Sequence, residues 1–468
     1  MACGGLEDHF SGMLEVGGFL STDVAELNEC ESEGLEYGSS RHDNELYTDI
    51  LSLQVQGVST TAFGRLLNMP LIAIYNPVCG DGNAKQFFDQ HVFPLLLHHG
   101  KTIDRVAATE HAGHAGQILI DFLEATEGEI TAVLGSGDGT LHEIINFLSS
   151  ASLKGPRANA PIPRLQIVLV PCGTANALYS SIFPPSVEGD SVNCKLKSIQ
   201  SFINSSRTIP LTLAVATLFS PRSGNKRSQV AVSSVVVSTA LHASILHDSE
   251  SLRKDIPGIE RFKIAAQNNS TKWYTSYVKL LPTLGTGRVQ VYDPANKTFV
   301  DHPESEDHDP IVDVDGPFAY FLSTVNVDRL EPAFRITPLA RTIPPTEASC
   351  EVVLLRPLRD PSVSRDNLEA RMAFVPKLWA VLGAAYKDGA HINLRYDTGG
   401  EITTGGEGPT VVEYIRCGGW EWIPDDIDAD THLLCSDGAI SHIEKGGRVV
   451  CSTETPMNGA GFVVYAQG

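Results

Sequence analysis

Between residues 69 and about 205 the apolar positions alternate between two periods. Leu71-Ile-Ala-Ile-Tyr75 is a continuous apolar run of strand length. Phe88, Val92, Leu95 and Leu96 then recur at helical spacing, with Pro94 placed to kink that helix. Ile103 to Ala108 reads as a second strand, and Ala115, Ile118, Leu119 and Phe122 as a second helix face. Ile130 to Leu134 is a third strand; Leu141, Ile144, Ile145 and Leu148 follow as a third helix. Leu165 to Val170 is a fourth strand, and Ala177 to Ile182 opens another helix. This alternation predicts a parallel α/β sheet.

From about residue 206 the texture changes. Apolar, β-branched runs recur between turns at Leu211–Leu218, Val230–Val237, Val289–Tyr292, Phe318–Thr324, Cys350–Leu355, Val411–Ile415 and Thr431–Cys435. They predict an antiparallel β domain, interrupted by helical stretches at 249–282 and 364–386. The expected organisation is an acidic, disordered tail over 1–45, an α/β domain over 46–205 and a β-sandwich over 206–468. Residues 46–68 are expected to add a strand or two. The acidic insert 301–315 and the glycine-rich stretch 399–408 read as exposed connections.

Composition narrows the function. The 468 residues carry a formal net charge of −21, which excludes binding to nucleic acid by bulk charge. Nine cysteines without a C-x-x-C pair argue against zinc or a disulfide framework and for a reducing compartment. MACGGLEDHF has neither the basic nor the apolar part of a signal peptide, and no apolar run has membrane-spanning length. A cytoplasmic protein is expected.

The candidate chemistry sits where the four predicted strands end. Asn76-Pro-Val-Cys-Gly80-Asp-Gly82 follows the first and Thr109-Glu110 the second. Gly135-Ser136-Gly137-Asp138-Gly139-Thr140 follows the third and Pro171-Cys-Gly173-Thr174-Ala-Asn176 the fourth. In an open parallel sheet, ligands bind beyond the carboxyl ends of the strands. Gly80 and Gly82 offer backbone amides; Thr109, Ser136, Thr140 and Thr174 offer hydroxyls; Asn76 and Asn176 offer side-chain amides. A helix start beside glycines is an anion site. Asp138 alone reads as a helix cap, but a carboxylate among four such loops points to phosphoryl transfer. There is no G-x-x-x-x-G-K-[ST] and no G-x-G-x-x-G in the first turn. His142-Glu143 is no zinc motif, since position 146 is Asn, and His142 is expected to pack or hydrogen-bond. Cations are available downstream, in His247-Asp-Ser-Glu-Ser-Leu-Arg-Lys254 and Arg261-Phe-Lys263.

IYNPVCGDGNA, GSGDGTLHEIIN and PCGTANALYSS, in this order, resemble the diacylglycerol kinase catalytic family, which includes sphingosine, ceramide and bacterial lipid kinases. GDGxxHE followed by GxxNAL looks most like the sphingosine (long-chain base) kinase branch, and HDSESLRK resembles that branch's ESE or DSE segment. The resemblance implies a phosphofructokinase- or NAD-kinase-like α/β domain, a β-sandwich carrying a lipid pocket, and ATP between them. It implies ATP and Mg²⁺ as cofactors and no particular metal ligand. A membrane lipid is the implied substrate, reached by transient peripheral membrane contact. Asp138 matches the catalytic aspartate. Asn76, Thr109, Ser136, Gly137, Gly139 and Thr140 match nucleotide-contacting positions, and Gly173, Thr174 and Asn176 the second glycine loop. Arg253 and Arg261 match arginines that reach the phosphates; Asp437 and Gly438 match the start of a D-G-E motif. Asp248 or Glu250 would hold a sphingoid ammonium. The implied activity is phosphorylation of a sphingoid base at its primary hydroxyl. The alternatives are a diacylglycerol or ceramide kinase, or a binding protein without turnover. The chain departs from the pattern at Val78, Asp81 and Asn83, where basic residues are usual. Ala175 replaces a glycine, Ala439 the glutamate of D-G-E, and Ser244 and Leu246 the headgroup aspartates.

Overall fold

The computed structural model describes residues 69–467 apart from 159–162, 186–191, 222–225, 257, 406–407 and 455–460. The acidic tail and the strands expected over 46–68 lie outside the described residues.

Four apolar runs form the expected parallel sheet: β1 (Leu71–Tyr75), β2 (Arg105–Ala108), β3 (Ile130–Ser136) and β4 (Leu165–Pro171), in the order β2-β1-β3-β4. β1 and β3 are buried along their whole length, which is why they read as unbroken apolar runs. Helical residues 84–98 (α1) cover one face, through Phe88, Val92 and Leu96. Pro94 does not break α1: Phe88–Val92 winds as a π-helix, and Pro94 falls in the first turn of the α-helical segment Phe93–His98. α2 (His114–Glu124), α3 (Asp138–Ser150) and α4 (Ala177–Ile182) follow β2, β3 and β4, and their apolar faces join the core. Two strands from beyond residue 205 extend the sheet past β4. The final strand, Phe462–Tyr465, lies parallel to β4, and β5 (Thr208–Pro210) pairs antiparallel with it.

The remaining strands form two antiparallel sheets. The larger runs β11 (Thr298–Asp301), β10 (Gln290–Asp293), β17 (Glu413–Cys417), β14 (Cys350–Leu355), β13 (Tyr320–Thr324), β8 (Val236–Thr239), β19 (Leu433–Ser436), β20 (Ala439–His442). The smaller runs β12 (Val312–Asp315), β9 (Ser276–Leu281), β18 (Gly419–Pro424), β21 (Arg448–Glu454), β6 (Leu213–Ser220), β7 (Lys226–Ser233). β15 (Arg395–Tyr396) pairs with β16 (Ile402–Thr403) of the glycine-rich stretch in a small hairpin, and Phe462–Tyr465 is β22. The Phe321 ring of β13 lies 5.0 Å from Trp420 and 5.1 Å from Trp422 of β18, joining the two sheets at their centre. Trp420 Nε1 donates to Ser323 Oγ, so the buried indole keeps a partner.

Three expectations change. The helical stretch at 249–282 is two helices, α5 (Ala240–Leu252) and α6 (Glu260–Asn269), and then β9. β9 alternates buried and half-buried positions, a period of two that its neighbouring helices mask in the sequence. The run Val230–Val237 is not one strand but the end of β7, a turn, and the start of β8. Within the acidic insert, Val312–Asp315 is no exposed connection: Val312 and Val314 are buried, and β12 pairs with β9. The other helical stretch is α7 (Leu368–Ala385), close to its expected bounds.

Candidate active site

Because β1 to β4 run parallel, the loops that follow them emerge on one rim, and main-chain contacts join them there. Asn76 N donates to Gly135 O, Thr109 N to Tyr75 O and Cys172 N to Ser136 O. Gly80 has φ +56°, and a Cβ on it would lie 2.3 Å from the Cys172 carbonyl oxygen. A Cβ on Gly173 would lie 2.4 Å from Gly137 Cα. The first, third and fourth loops therefore pack backbone to backbone, which only glycine allows. The second loop is tied in from α3, where Glu143 Oε2 accepts from Gly113 N at 3.0 Å. Gly139 and Thr174 are exposed on this rim, whereas Thr109, Ser136 and Thr140 are buried. Ser136 Oγ donates to Gly137 O, and Asn76 Oδ1 accepts from Val78 N. Asn176 takes a left-handed conformation and closes the fourth loop, accepting from Gly173 N and donating to Gly173 O.

Asp138 opens α3 but caps a different helix. Its Oδ2 accepts from Ala177 N at 2.7 Å and its Oδ1 from Leu178 N at 3.1 Å, the first two residues of α4. A carboxylate suits that position, where free amides and the helix dipole carry positive potential. Burial nevertheless pushes its pKa up to about 6. The amides of Ala177 and Leu178 oppose that rise and the charge of Asp437 adds to it. Residue 138 borders a small cleft with Ser136, Gly137, Leu141, Pro171 and Tyr179.

Asp437 also arrives at the α3 side, from the turn between β19 and β20. Its side chain is sealed from solvent, with Oδ2 3.4 Å from His142 Nδ1. Its oxygens accept from Ser234 N, Val235 N and Val236 N at 2.8, 3.0 and 2.7 Å, so this carboxylate fixes the turn from β7 to β8. Asp437 and Gly438 both have positive φ. One turn further along α3, Asn146 Oδ1 accepts from Val232 N and its Nδ2 donates to Val232 O. His142 thus hydrogen-bonds with Asn146 on its own helix and lies against Asp437 of the antiparallel part. Asn146, which spoils the zinc motif, was missed; its signal was the spacing 138, 142, 146, one stripe of a helix.

Arg253 and Arg261 come together at the α5–α6 connection. Arg253 Nη2 lies 3.1 Å from Glu250 Oε2, and Arg261 Nη1 donates to Gly258 O. Burial and the neighbouring Arg253 cation hold the Arg261 guanidinium below its ordinary value. The contacts of both arginines are local to this hairpin. Asp248 is engaged as well, accepting from Asn269 Nδ2 at 2.7 Å beside His247 Nδ1 at 2.9 Å. Ser244 Oγ takes the Tyr274 hydroxyl, and Leu246 packs against the cluster of Ala243, Leu433 and Cys435.

Among the described residues, no cluster of three or more His, Cys, Asp or Glu is arranged to hold a metal ion. Asp81, in the first loop, is an exposed carboxylate.

Residues 70–205, the segment that supplies all four loops, match the diacylglycerol kinase catalytic domain. This segment belongs to the diacylglycerol kinase catalytic-domain family. The chain is 33% identical over 141 residues to sphingoid long chain base kinase 5 of Saccharomyces cerevisiae, covering 29% of this chain and 19% of that protein. The chain is also 28% identical over 173 residues to human sphingosine kinase 2, covering 34% of this chain and 25% of that protein. The chain thus spans about a quarter or less of these two relatives' lengths. A structure of a diacylglycerol kinase from Bacillus anthracis str. Sterne aligns with a TM-score of 0.41 at 11% identity, over 85% of this chain and 97% of the other. Yeast NADH kinase aligns at 0.37 and 7%, over 86% and 84%.

Proposed function

We propose that this chain is an ATP-dependent lipid kinase that transfers the γ-phosphoryl group to the primary hydroxyl of a sphingoid long-chain base. The observation that carries the reading is the gathering of four glycine- and hydroxyl-bearing loops on one rim, with Asp138 among them. ATP bound there supplies the phosphoryl group. Backbone amides of the glycine loops and the start of α3 hold the phosphates, with Thr109, Ser136, Thr140 and Thr174 beside them. Asp138 takes the proton of the attacking hydroxyl; a base whose pKa is raised to about 6 works well near neutral pH. Arg253 and Arg261 would neutralise charge by exchanging Glu250 and the Gly258 carbonyl for phosphate oxygens. Mg²⁺ usually keeps several waters, taking one or two carboxylates and the substrate's phosphates. Asp81, an exposed carboxylate of the first loop, would be one such ligand.

One observation favours a second reading, a neutral acceptor such as diacylglycerol or ceramide. Asp248 is committed to Asn269, and Glu250 to Arg253, so neither is held ready for an ammonium group. No described helix is long and apolar enough to cross a membrane, so lipid would be reached by peripheral contact. The test is transfer of labelled γ-phosphate from ATP to sphinganine, ceramide and diacylglycerol, each in mixed micelles. Label in sphinganine alone supports the first reading, and label in a neutral lipid alone supports the second. Label in none of them refutes both.

A further inference from the structure

Residues 138, 142 and 146 form one stripe along α3, and each reaches a different part of the chain. Asp138 binds the start of α4, His142 meets Asp437, and Asn146 makes a two-way hydrogen bond to the backbone of Val232. Val232 lies on β7, the edge strand of its sheet, so the Asn146 amide occupies the donor and acceptor that a neighbouring strand would use. Asp437 holds the next residues, Ser234 to Val236, through their amides. The continuous segment Val232–Val236 is thereby fastened to the helix whose first residue is Asp138.

We propose that His142, Asn146 and Asp437 are positioning residues, which fix Asp138 relative to the antiparallel strands β7, β8 and β19. This rests on the reading of Asp138 as the general base. The function of such a latch is geometric. Phosphoryl transfer depends on alignment of the attacking oxygen, and a misplacement of about 1 Å costs roughly 10²-fold in rate. A helix docked only by apolar contacts can rock by that much. A bidentate amide pair and a carboxylate–imidazole contact, one turn apart, restrict both rotation and sliding.

The experiment compares full-length wild type with His142→Ala, His142→Asn, Asn146→Ala and Asp138→Asn. It records melting temperature, kcat, and KM for ATP and for whichever lipid accepts phosphate. His142→Asn retains a donor near the position of Nδ1. The expected result for His142→Ala and Asn146→Ala is a kcat lowered by roughly 10- to 100-fold, with KM for ATP within about twofold. His142→Asn should recover most of kcat even where melting temperatures are equal. The proposal is overturned if both alanine variants keep wild-type kcat, or if kcat falls only in step with melting temperature and His142→Asn rescues nothing. An Asp138→Asn enzyme as fast as wild type would instead remove the general-base reading itself. Loss of turnover in Asp138→Asn with no kcat effect at 142 or 146 removes the latch alone.

Discussion

Two Asp-Gly pairs, at 138–139 and 437–438, follow buried strands, and both carboxylates accept main-chain amides. Asp138 accepts two, begins a helix and borders a cleft. Asp437 accepts three, sits in a left-handed turn and is wholly covered. The same dipeptide thus performs two tasks. An acid that meets a substrate must be held and still reachable, whereas an acid that fixes a turn is best sealed. Asp437, matched by resemblance to the start of a D-G-E motif, spends its oxygens on the turn from β7 to β8.

The sharpest way to break this contrast is to neutralise each acid separately. Asp138→Asn should lower the rate of lipid phosphorylation by about 10²- to 10⁴-fold, the range for loss of a general base. Its melting temperature should stay close to that of wild type. Asp437→Asn should act mainly on stability, with kcat falling no further than the roughly 10- to 100-fold expected for loss of the latch. Loss of the charge shared by three buried amides should cost on the order of 3 kcal/mol of stability, read from the denaturation midpoint. Equal effects of the two variants on stability would erase the distinction. A smaller effect is expected at Gly173→Ala. Its Cβ would meet Gly137 Cα at 2.4 Å and force the third and fourth loops apart. Overpacking of this kind costs about 1–3 kcal/mol, and here it should appear as weaker nucleotide binding in a titration.

The smallest effect concerns pH. Burial raises the Asp138 pKa to about 6 in the folded state, above the usual value near 4. Between those values the folded protein binds a proton that the unfolded chain has released, so stability falls as pH rises through this window. Asp138→Asn should flatten that part of a stability–pH curve. The same ionisation should give kcat/KM an acid limb near pH 6, with activity rising as the carboxylate forms.

What the sequence disclosed depended on how local each signal was. β1 and β3 lie between helices and neighbouring strands, so both their faces are apolar and their positions could be read directly. The loops that follow β1 to β4 were equally legible, because parallel strands must end on one rim. β9 lies inside a stretch expected to be helical, although Pro257-Gly258 and Asn268-Asn269-Ser270 are turn signals that divide it. β22 returns to the parallel sheet from the far end of the chain, and no local pattern announces that. The contacts of His142 and Asn146 escaped for the same reason: Asn146 and Val232 are 86 residues apart. The arginines at 253 and 261 were found as a pair, but their present partners, Glu250 and Gly258 O, belong to their own hairpin.

The most direct test of the central claim is an initial-rate comparison of wild type and Asp138→Asn, with saturating ATP and the preferred lipid, across pH 5 to 9. Wild type should form lipid phosphate with an acid limb near pH 6, and Asp138→Asn should bind ATP as tightly yet form almost none. Equal rates in the two proteins, or an unchanged acid limb in the variant, would contradict that claim.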